Sequence, residues 1–344
     1  MTVDLVSFAH GLPKAELHLH LEGTLEPELK FALAARNGID LAEKTVEEVR
    51  ATYDFTDLTS FLAVYYPAMR VLVTPDDFHD LAWAYLQRAH AQGVVHAEMF
   101  FDPQAHTSRG VPFDDVIAGY RRAVVRAERE LGVSAELIMC FLRDFSAEYA
   151  MATLMDAVRY KSWIVGVGLD SDERDHPPAK FAEVFARARQ EGFLLTMHCD
   201  IDQVGSIDNI RSVLNQIEVD RIDHGTNIVE DPSLVALAKE RGLGFTTCPV
   251  SNSFVTEQMK SDEIVALLRQ GVKVTVNSDD PAYFGAYVGD NYVALAQKAG
   301  LAASDLVQLA INSFEASWLT PARRAAFVAA VEDYARAEGV TVAA

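Results

Sequence analysis

The sequence predicts a single (β/α)8 TIM barrel over residues 1–344, with a helical insertion after the first strand and extra helices at the C-terminal end. Two observations carry this. Eight apolar runs alternate with amphipathic stretches, and most of those stretches close at or near a glycine, which accepts the left-handed backbone of a helix C-terminus. Half of the 344 residues are apolar, enough for one large core, and no linker rich in Gly, Ser or Pro, no repeat and no low-complexity block marks a boundary. An open doubly wound sheet is the competing architecture. Gly166-Val167-Gly168 starts a dinucleotide loop, but Ser171 stands where the third glycine belongs and no helix opens there.

The first strand carries Glu16-Leu17-His18-Leu19-His20-Leu21-Glu22, in which a period of two puts both imidazoles on one face and the leucines on the other. Residues 26–70 read as mostly helical and contain Tyr53, Phe55, Phe61, Leu62, Tyr65 and Tyr66. A segment inserted there is placed to cover the barrel mouth as a lid, or to pack its aromatics on the body, or both. Thr74-Pro75-Asp76-Asp77 opens a helix with an N-cap, a proline at the first helical position and carboxylates in the first turn. Further strands are expected at 93–101, 135–141, 163–169, 193–197, 220–223, 243–248 and 272–276. Helices are expected at 114–130, 179–190, 232–241 and 261–270, closed near Gly132, Gly192, Gly242 and Gly271, and two more from Ala303 and Pro321 outside the barrel. The charged stretch 170–178 reads as a solvated loop leading into a helix.

Composition narrows the partners. Fifty acidic against thirty basic residues give a formal charge of −20, which repels nucleic-acid polymers and anionic membrane surfaces. The first eight residues carry neither a basic leader nor an apolar core of signal length, and no run approaches the ~18 apolar residues of a spanning helix, so the protein is expected to be cytoplasmic. Cys140, Cys199 and Cys248 are odd in number and lack CxxC spacing, which fits reduced, buried thiols. No heptad or exposed apolar stripe argues for oligomerisation.

In a parallel barrel all strand ends meet at one face, so distant residues become neighbours there. His18, His20, His198, His224, Asp279 and Asp280 all fall on or just past strands at that face; the other six histidines read as solvated side chains on helices or in loops. Three imidazoles and one carboxylate make a divalent-metal shell with one position left for water, as in a catalytic rather than a structural site. A metal there lowers the pKa of water and supplies hydroxide.

These residues also carry a family resemblance. The run from His18 through Pro27, then Gly166-Val-Gly168-Leu-Asp, Met197-His198, Ile222-Asp-His224-Gly225, Cys248-Pro-Val-Ser-Asn252 and Asn277-Ser-Asp279-Asp280-Pro281 resemble the adenosine and adenine deaminases of the amidohydrolase superfamily. The motifs occur in the family's order across residues 13–281. The resemblance implies one Zn2+ per chain, or another divalent transition metal, held by His18, His20, His198 and Asp279. It implies that His224 orients the attacking water and takes its proton, and that Asp280 and the backbone around Gly168 hold a purine ring.

One departure matters. The family follows its third histidine with Ala-Gly-Glu, whose glutamate donates a proton to the ring nitrogen as water adds to C6. Here the sequence is His198-Cys199-Asp200-Ile201-Asp202-Gln203, and isoleucine transfers no proton. Either Asp202, ahead of Asp200, takes the role through a shifted loop, or no carboxylate replaces it and the protein is slow, acts on another substrate or only binds. Acid–base assistance of this kind is worth ~10²–10⁴-fold, which favours replacement by Asp202. Glu22 after the second histidine resembles the adenine branch, where a longer side chain fills the space of a sugar and favours a free base. The expected reaction is therefore zinc-dependent hydrolytic deamination of adenine or an N6-substituted adenine to hypoxanthine plus ammonia or amine. The alternatives are adenosine deamination, another amidohydrolase reaction, and a non-catalytic purine-binding relative.

Overall fold

The computed structural model describes residues 4–199, 205–256 and 258–341. Eight strands, β1 (Lys14–Glu16), β2 (Val94–Phe101), β3 (Ser134–Leu142), β4 (Ile164–Asp170), β5 (Leu194–Cys199), β6 (Arg221–His224), β7 (Gly244–Thr247) and β8 (Lys273–Val276), pair in parallel in chain order. Each expected strand is found. The seam between β8 and β1 closes just past their ends, where Asp279 N donates to His18 O at 3.1 Å and His20 N donates to Asp279 O at 3.0 Å. On the other side Phe100 N donates to Leu19 O at 2.8 Å. The regular part of β1 thus stops at Glu16, and residues 17–20 continue as an extended segment tied singly to both neighbours. Leu17 N meets the Asn277 side chain at 2.8 Å instead of a strand carbonyl.

The expected helices form as Phe113–Leu131, Ala182–Gln190, Pro232–Glu240 and Ser261–Arg269, with Gly132, Gly192, Gly242 and Gly271 in left-handed backbone behind them. A helix at Leu5–Gly11, started by the Asp4 side chain, precedes β1 and was not expected. The insertion consists of helices Pro27–Asn37, Val46–Arg50 and Leu58–Ala68. It is fastened by Asp77 in the first turn of Pro75–Ala91, whose buried carboxylate accepts from Thr74 N at 2.8 Å and from Asn37 Nδ2 and Arg36 Nη1 at 2.9 Å each.

Helix Ala303–Glu315 covers the seam: Asn312 Nδ2 donates to Val274 O at 3.0 Å, and Ser313 Oγ accepts from Ala15 N at 2.9 Å. Trp318 beyond it enters the barrel, where its ring stacks on Arg221 at 4.2 Å. The glycines of Gly166-Val167-Gly168 serve packing. A Cβ at Gly166 would stand 2.4 Å from the Trp318 ring, and one at Gly168 2.6 Å from Cys140 Sγ. Two expectations about surface residues are corrected. His96 in β2 and His106 in helix Pro103–Thr107 are buried, His96 between Ser134 and Glu98 and His106 against Glu22. The start of the 170–178 stretch turns inward, with Asp170 and Glu173 buried. All three cysteines are free and buried. Among the described residues no helix is long and apolar enough to cross a membrane.

Candidate active site

The extended residues after β1 keep the strand's alternation, so His18 and His20 both face the mouth. Their Nε2 atoms lie 3.2 and 3.4 Å from Asp279 Oδ1, and His20 Nε2 lies 3.1 Å from His198 Nε2 at the end of β5. Donors about 2.0–2.1 Å from one tetrahedral centre stand roughly 3.3 Å apart, close to these three separations. His18, His198, His224 and Asp279 also present ligand atoms within 4.8 Å of one another, so this buried group of histidines and aspartate could hold a divalent ion. The chemistry of the set fits as well. Buried His18 Nε2 has no hydrogen-bond partner among the described residues.

Neighbouring groups set the orientation of each donor. Thr246 Oγ1 donates to Asp223 Oδ1 at 2.8 Å, so at 2.9 Å from His18 Nδ1 it accepts, which places the His18 proton on Nδ1 and leaves Nε2 free for a metal. Asp223 is held from the other side by Thr196 Oγ1 at 2.7 Å and lies 3.6 Å from His198 Nδ1. Ser251 Oγ donates to Asp279 Oδ2 at 2.6 Å, turning Oδ1 toward His18 and His20. Burial alone would push the Asp279 carboxyl up, but the surrounding imidazoles hold it well below the usual carboxylate range.

His224 ends β6 with φ +56°, and Asp279 follows β8 with φ +64°; both are non-glycine residues in left-handed backbone, a strain concentrated at functional sites. The His224 ring lies 4.6 Å from that of His18, and its Nε2 is 3.7 Å from Asp279 Oδ2. Burial, with His18 beside it, pushes His224 down to about 3, so it is held neutral. Burial and the adjacent Asp279 push the Asp280 carboxyl well up, and Asp280 Oδ1 has no partner among the described residues.

Above these groups lies a cavity of about 190 Å³. His20, His198, His224, Asp279 and Asp280 form its floor, and Leu58, Phe61, Leu62, Tyr65 and Tyr66 of the insertion line its wall. Phe61 also packs within 5.6 Å of Phe55, Tyr65, Tyr283 and Phe284, so the insertion both packs on the body and covers the mouth.

The other expected residues are placed differently. Glu22 is buried with Oε1 accepting from His106 Nε2 and Tyr120 OH at 2.9 Å each, and it does not itself line the cavity. Gly168 pairs opposite Cys140 and does not line the cavity; from that part of the chain Asp170, at the end of β4, and Ser171 after it, at φ +75°, do. Asp202, with Asp200 and Ile201, lies outside the described residues. Sequence reasoning missed Ser251, Thr246 and Asp223. It also gave no role to Asp102 and Asp170, although each closes a strand, the pattern that had pointed to His198 and His224. Burial pushes both carboxyls up, Asp170 to about 7.

An eight-stranded parallel barrel with a buried group of histidines and aspartate at its mouth that could hold a metal has the makings of a hydrolase site. The family model described as adenosine deaminase matches residues 13–334. An adenine deaminase from Zymomonas mobilis is 49% identical over 333 residues, 96% of this chain and 98% of that one. A crystal structure of adenine deaminase from Arthrobacter aurescens superposes with a TM-score of 0.91 at 42% identity, covering 94% of this chain and 99% of that one. An amidohydrolase from Burkholderia ambifaria, solved with bound Zn, gives a TM-score of 0.88 at 28% identity over 98% of this chain and 96% of that one. The chain belongs to the adenosine deaminase family and is a hydrolytic deaminase.

Proposed function

We propose that the protein hydrolyses the exocyclic C6–N bond of free adenine, giving hypoxanthine and ammonia, with Zn2+ held by His18, His20, His198 and Asp279. The observation that carries this reading is the convergence of those four side chains, 3.1–3.4 Å between neighbouring donor atoms, with His20, His198 and Asp279 on the floor of a cavity walled by aromatic residues. It is supported by relatives near 50% identity, over nearly the whole chain, that are adenine deaminases.

When bound, the metal would lower the pKa of water toward neutrality. His224, neutral at physiological pH, takes the proton that the attacking water gives up. Asp280, whose Oδ1 has no partner among the described residues, hydrogen-bonds a ring nitrogen and fixes the purine with C6 over the cluster. Asp202 supplies the proton that the ring nitrogen gains as water adds. His224 then passes its proton to the amine, the C6–N bond breaks and ammonia leaves, while the C6 hydroxyl returns a proton to Asp202 and the ring regains its conjugation as the 6-oxopurine. Glu22, gripped by His106 and Tyr120, and Gly168, which lets Cys140 close behind the cavity, support the floor on which the ring lies. The insertion excludes water around the bound base. We place this activity in the cytoplasm, in keeping with three reduced cysteines.

The test is turnover of zinc-loaded protein on adenine, adenosine and an N6-alkyladenine, followed by the ultraviolet change as the 6-oxopurine forms. Rapid turnover of adenine is expected. Silence on all three with zinc bound would remove the deaminase reading and mark Ile201 as a change of chemistry.

A further inference from the structure

Two carboxyl groups in the cavity wall have no part in the steps above. Asp102, at the end of β2, is 1% exposed and Asp170, at the end of β4, 3%, yet both line the cavity. With His20 Nδ1 they form a group whose nearest atoms all lie within 4.8 Å of one another. Asp102 Oδ1 and both oxygens of Asp170 have no hydrogen-bond partner among the described residues. His20 Nδ1 lies 3.4 Å from Asp170 Oδ2, and the Cys140 thiol and the Asp102 carboxyl also face Asp170; a proton shared between the two carboxyls still leaves acceptor positions on both. The nearby Arg143 guanidinium reaches His198 O at 3.3 Å and Glu173 at 3.4 Å.

A buried polar atom without a partner costs ~1–3 kcal/mol, and more when charged. Two neighbouring ones, brought together from strands that are not adjacent, call for a donor arriving from the cavity. Their position says which donor. The imidazole of His20 runs from the metal-ligand cluster, at Nε2, to the carboxyl pair, at Nδ1. The pair therefore stands one five-membered ring away from the cluster. A fused bicycle bridges that separation when its six-membered ring lies over the cluster and its five-membered ring lies beside the pair. A free purine base carries an N–H on that five-membered ring, at the position where a nucleoside carries its sugar.

We propose that Asp102 and Asp170 together accept the five-membered-ring N–H of a free purine base and so exclude purines substituted at N9. This rests on the purine deamination proposed above and names the residues that choose among purines. The pair acts in two ways. It offers the N–H its acceptor, and it leaves a substituent at that position facing buried carboxyl oxygens at the ends of two strands. A site built to hydrogen-bond a substrate N–H rejects an analogue lacking it by ~10⁴–10⁵, because its own buried groups are then left unpaired.

The experiment compares adenine with 9-methyladenine, which differ at that nitrogen alone, on the zinc-loaded protein and on Asp102→Asn, which keeps the shape and replaces an acceptor by a donor. The readouts are kcat/KM for each purine, calorimetric binding of hypoxanthine and 9-methylhypoxanthine, and zinc content. The unaltered protein is expected to prefer adenine by at least ~10⁴. In Asp102→Asn that preference should collapse to within ~10-fold, through loss on adenine with zinc content unchanged. Asp170→Asn should show the same collapse in specificity, together with weaker zinc retention because Asp170 also faces His20.

Comparable kcat/KM for the two purines in the unaltered protein would overturn the proposal while leaving deamination standing. So would an Asp102→Asn protein that loses activity on both in proportion, or on neither. If zinc-loaded protein turns over neither purine, the deaminase reading fails, and the binding measurement still decides this one. Preference for hypoxanthine over its 9-methyl form supports the pair as N–H acceptor, and equal binding refutes it.

Discussion

In the barrel's interior Glu98 is buried and fully engaged. Its carboxylate accepts from Arg221 Nη1, from Trp318 N at 2.6 Å and from His96 Nε2 at 3.2 Å, while Arg221 also donates to Leu17 O at 3.3 Å and stacks on Trp318. At the mouth, a few residues further along the same strands, burial is as deep but the partners are missing. His18 Nε2, His224 Nδ1, Asp280 Oδ1 and Asp102 Oδ1 have none among the described residues. The residue types are alike in both places; what differs is completion. The interior network is nearly closed, Arg221 Nε standing 3.9 Å from Asp223 Oδ1 without a hydrogen bond among the described residues, and it holds the strands in register. The mouth instead presents several open valences that a metal and a substrate complete. Substitutions at the mouth should therefore cost activity and leave the fold, and substitutions in the interior should do the reverse.

The strongest way to break that contrast is Asp279→Ala. Loss of the carboxylate shared by three imidazoles should abolish stoichiometric zinc and lower turnover by at least ~10⁴-fold. Its thermal midpoint should stay within a few degrees of the metal-free parent; plasma emission and calorimetry measure both, and a collapse of the fold would show that the mouth also carries stability.

Next is His224→Ala. Turnover should fall ~10²–10⁴-fold with zinc content retained, since a proton acceptor rather than a ligand has been removed. Zinc loss in step with activity would make His224 a ligand instead.

The interior's counterpart is Glu98→Gln, which leaves Arg221 buried without its counter-charge and should cost ~3–5 kcal/mol of stability, with turnover per folded molecule little changed. Its pH dependence has a defined sign. Burial opposes ionisation of Glu98, but Arg221 and His96 outweigh it and hold the carboxyl down to about 2. A glutamate in the unfolded chain titrates near ~4.3, so between there and about pH 2 the unfolded chain binds the extra proton. The contribution of Glu98 is thus complete above that window and lost as pH falls through it. Denaturant midpoints from pH 6 to pH 2 should converge for the parent and Glu98→Gln; a constant gap would place the effect elsewhere.

The smallest effect is expected from Thr246→Val, which sits between the two regions. Removing the hydroxyl that accepts from His18 Nδ1 and donates to Asp223 should weaken zinc binding by ~10–100-fold, read by competition with a chelator. Unchanged affinity would mean that backbone packing alone orients His18.

Much of the barrel was legible because its signals are local. Strand runs, the proline and carboxylates of Pro75–Ala91 and the glycines behind four helices each act within a few residues, and those elements form where expected. Of the site, the candidates His18, His20, His198, His224, Asp279 and Asp280 could be named because each sits on or just past a strand at one face; five of them form the cavity floor, and His18 lies against His198, His224 and Asp279. The helix at Leu5–Gly11 was not legible because seven residues with one Asp cap carry too little periodicity. His96 and His106 looked like surface residues because Ser134, which holds His96 from the next strand, and Glu22, which holds His106, are distant in sequence, and the nearby Glu98 gave no sign of being buried.

The sequence by itself determined the alternation of strands and helices and the set of nitrogen and oxygen donors at the strand ends, since periodicity and capping are properties of neighbouring residues. Only the tertiary structure decided which oxygen of Asp279 faces the imidazoles, that residues 170–174 turn into the cavity, and that Asp102 meets Asp170 across it. Those outcomes depend on the register of eight strands closed into a ring, which fixes distances between residues that no local pattern connects.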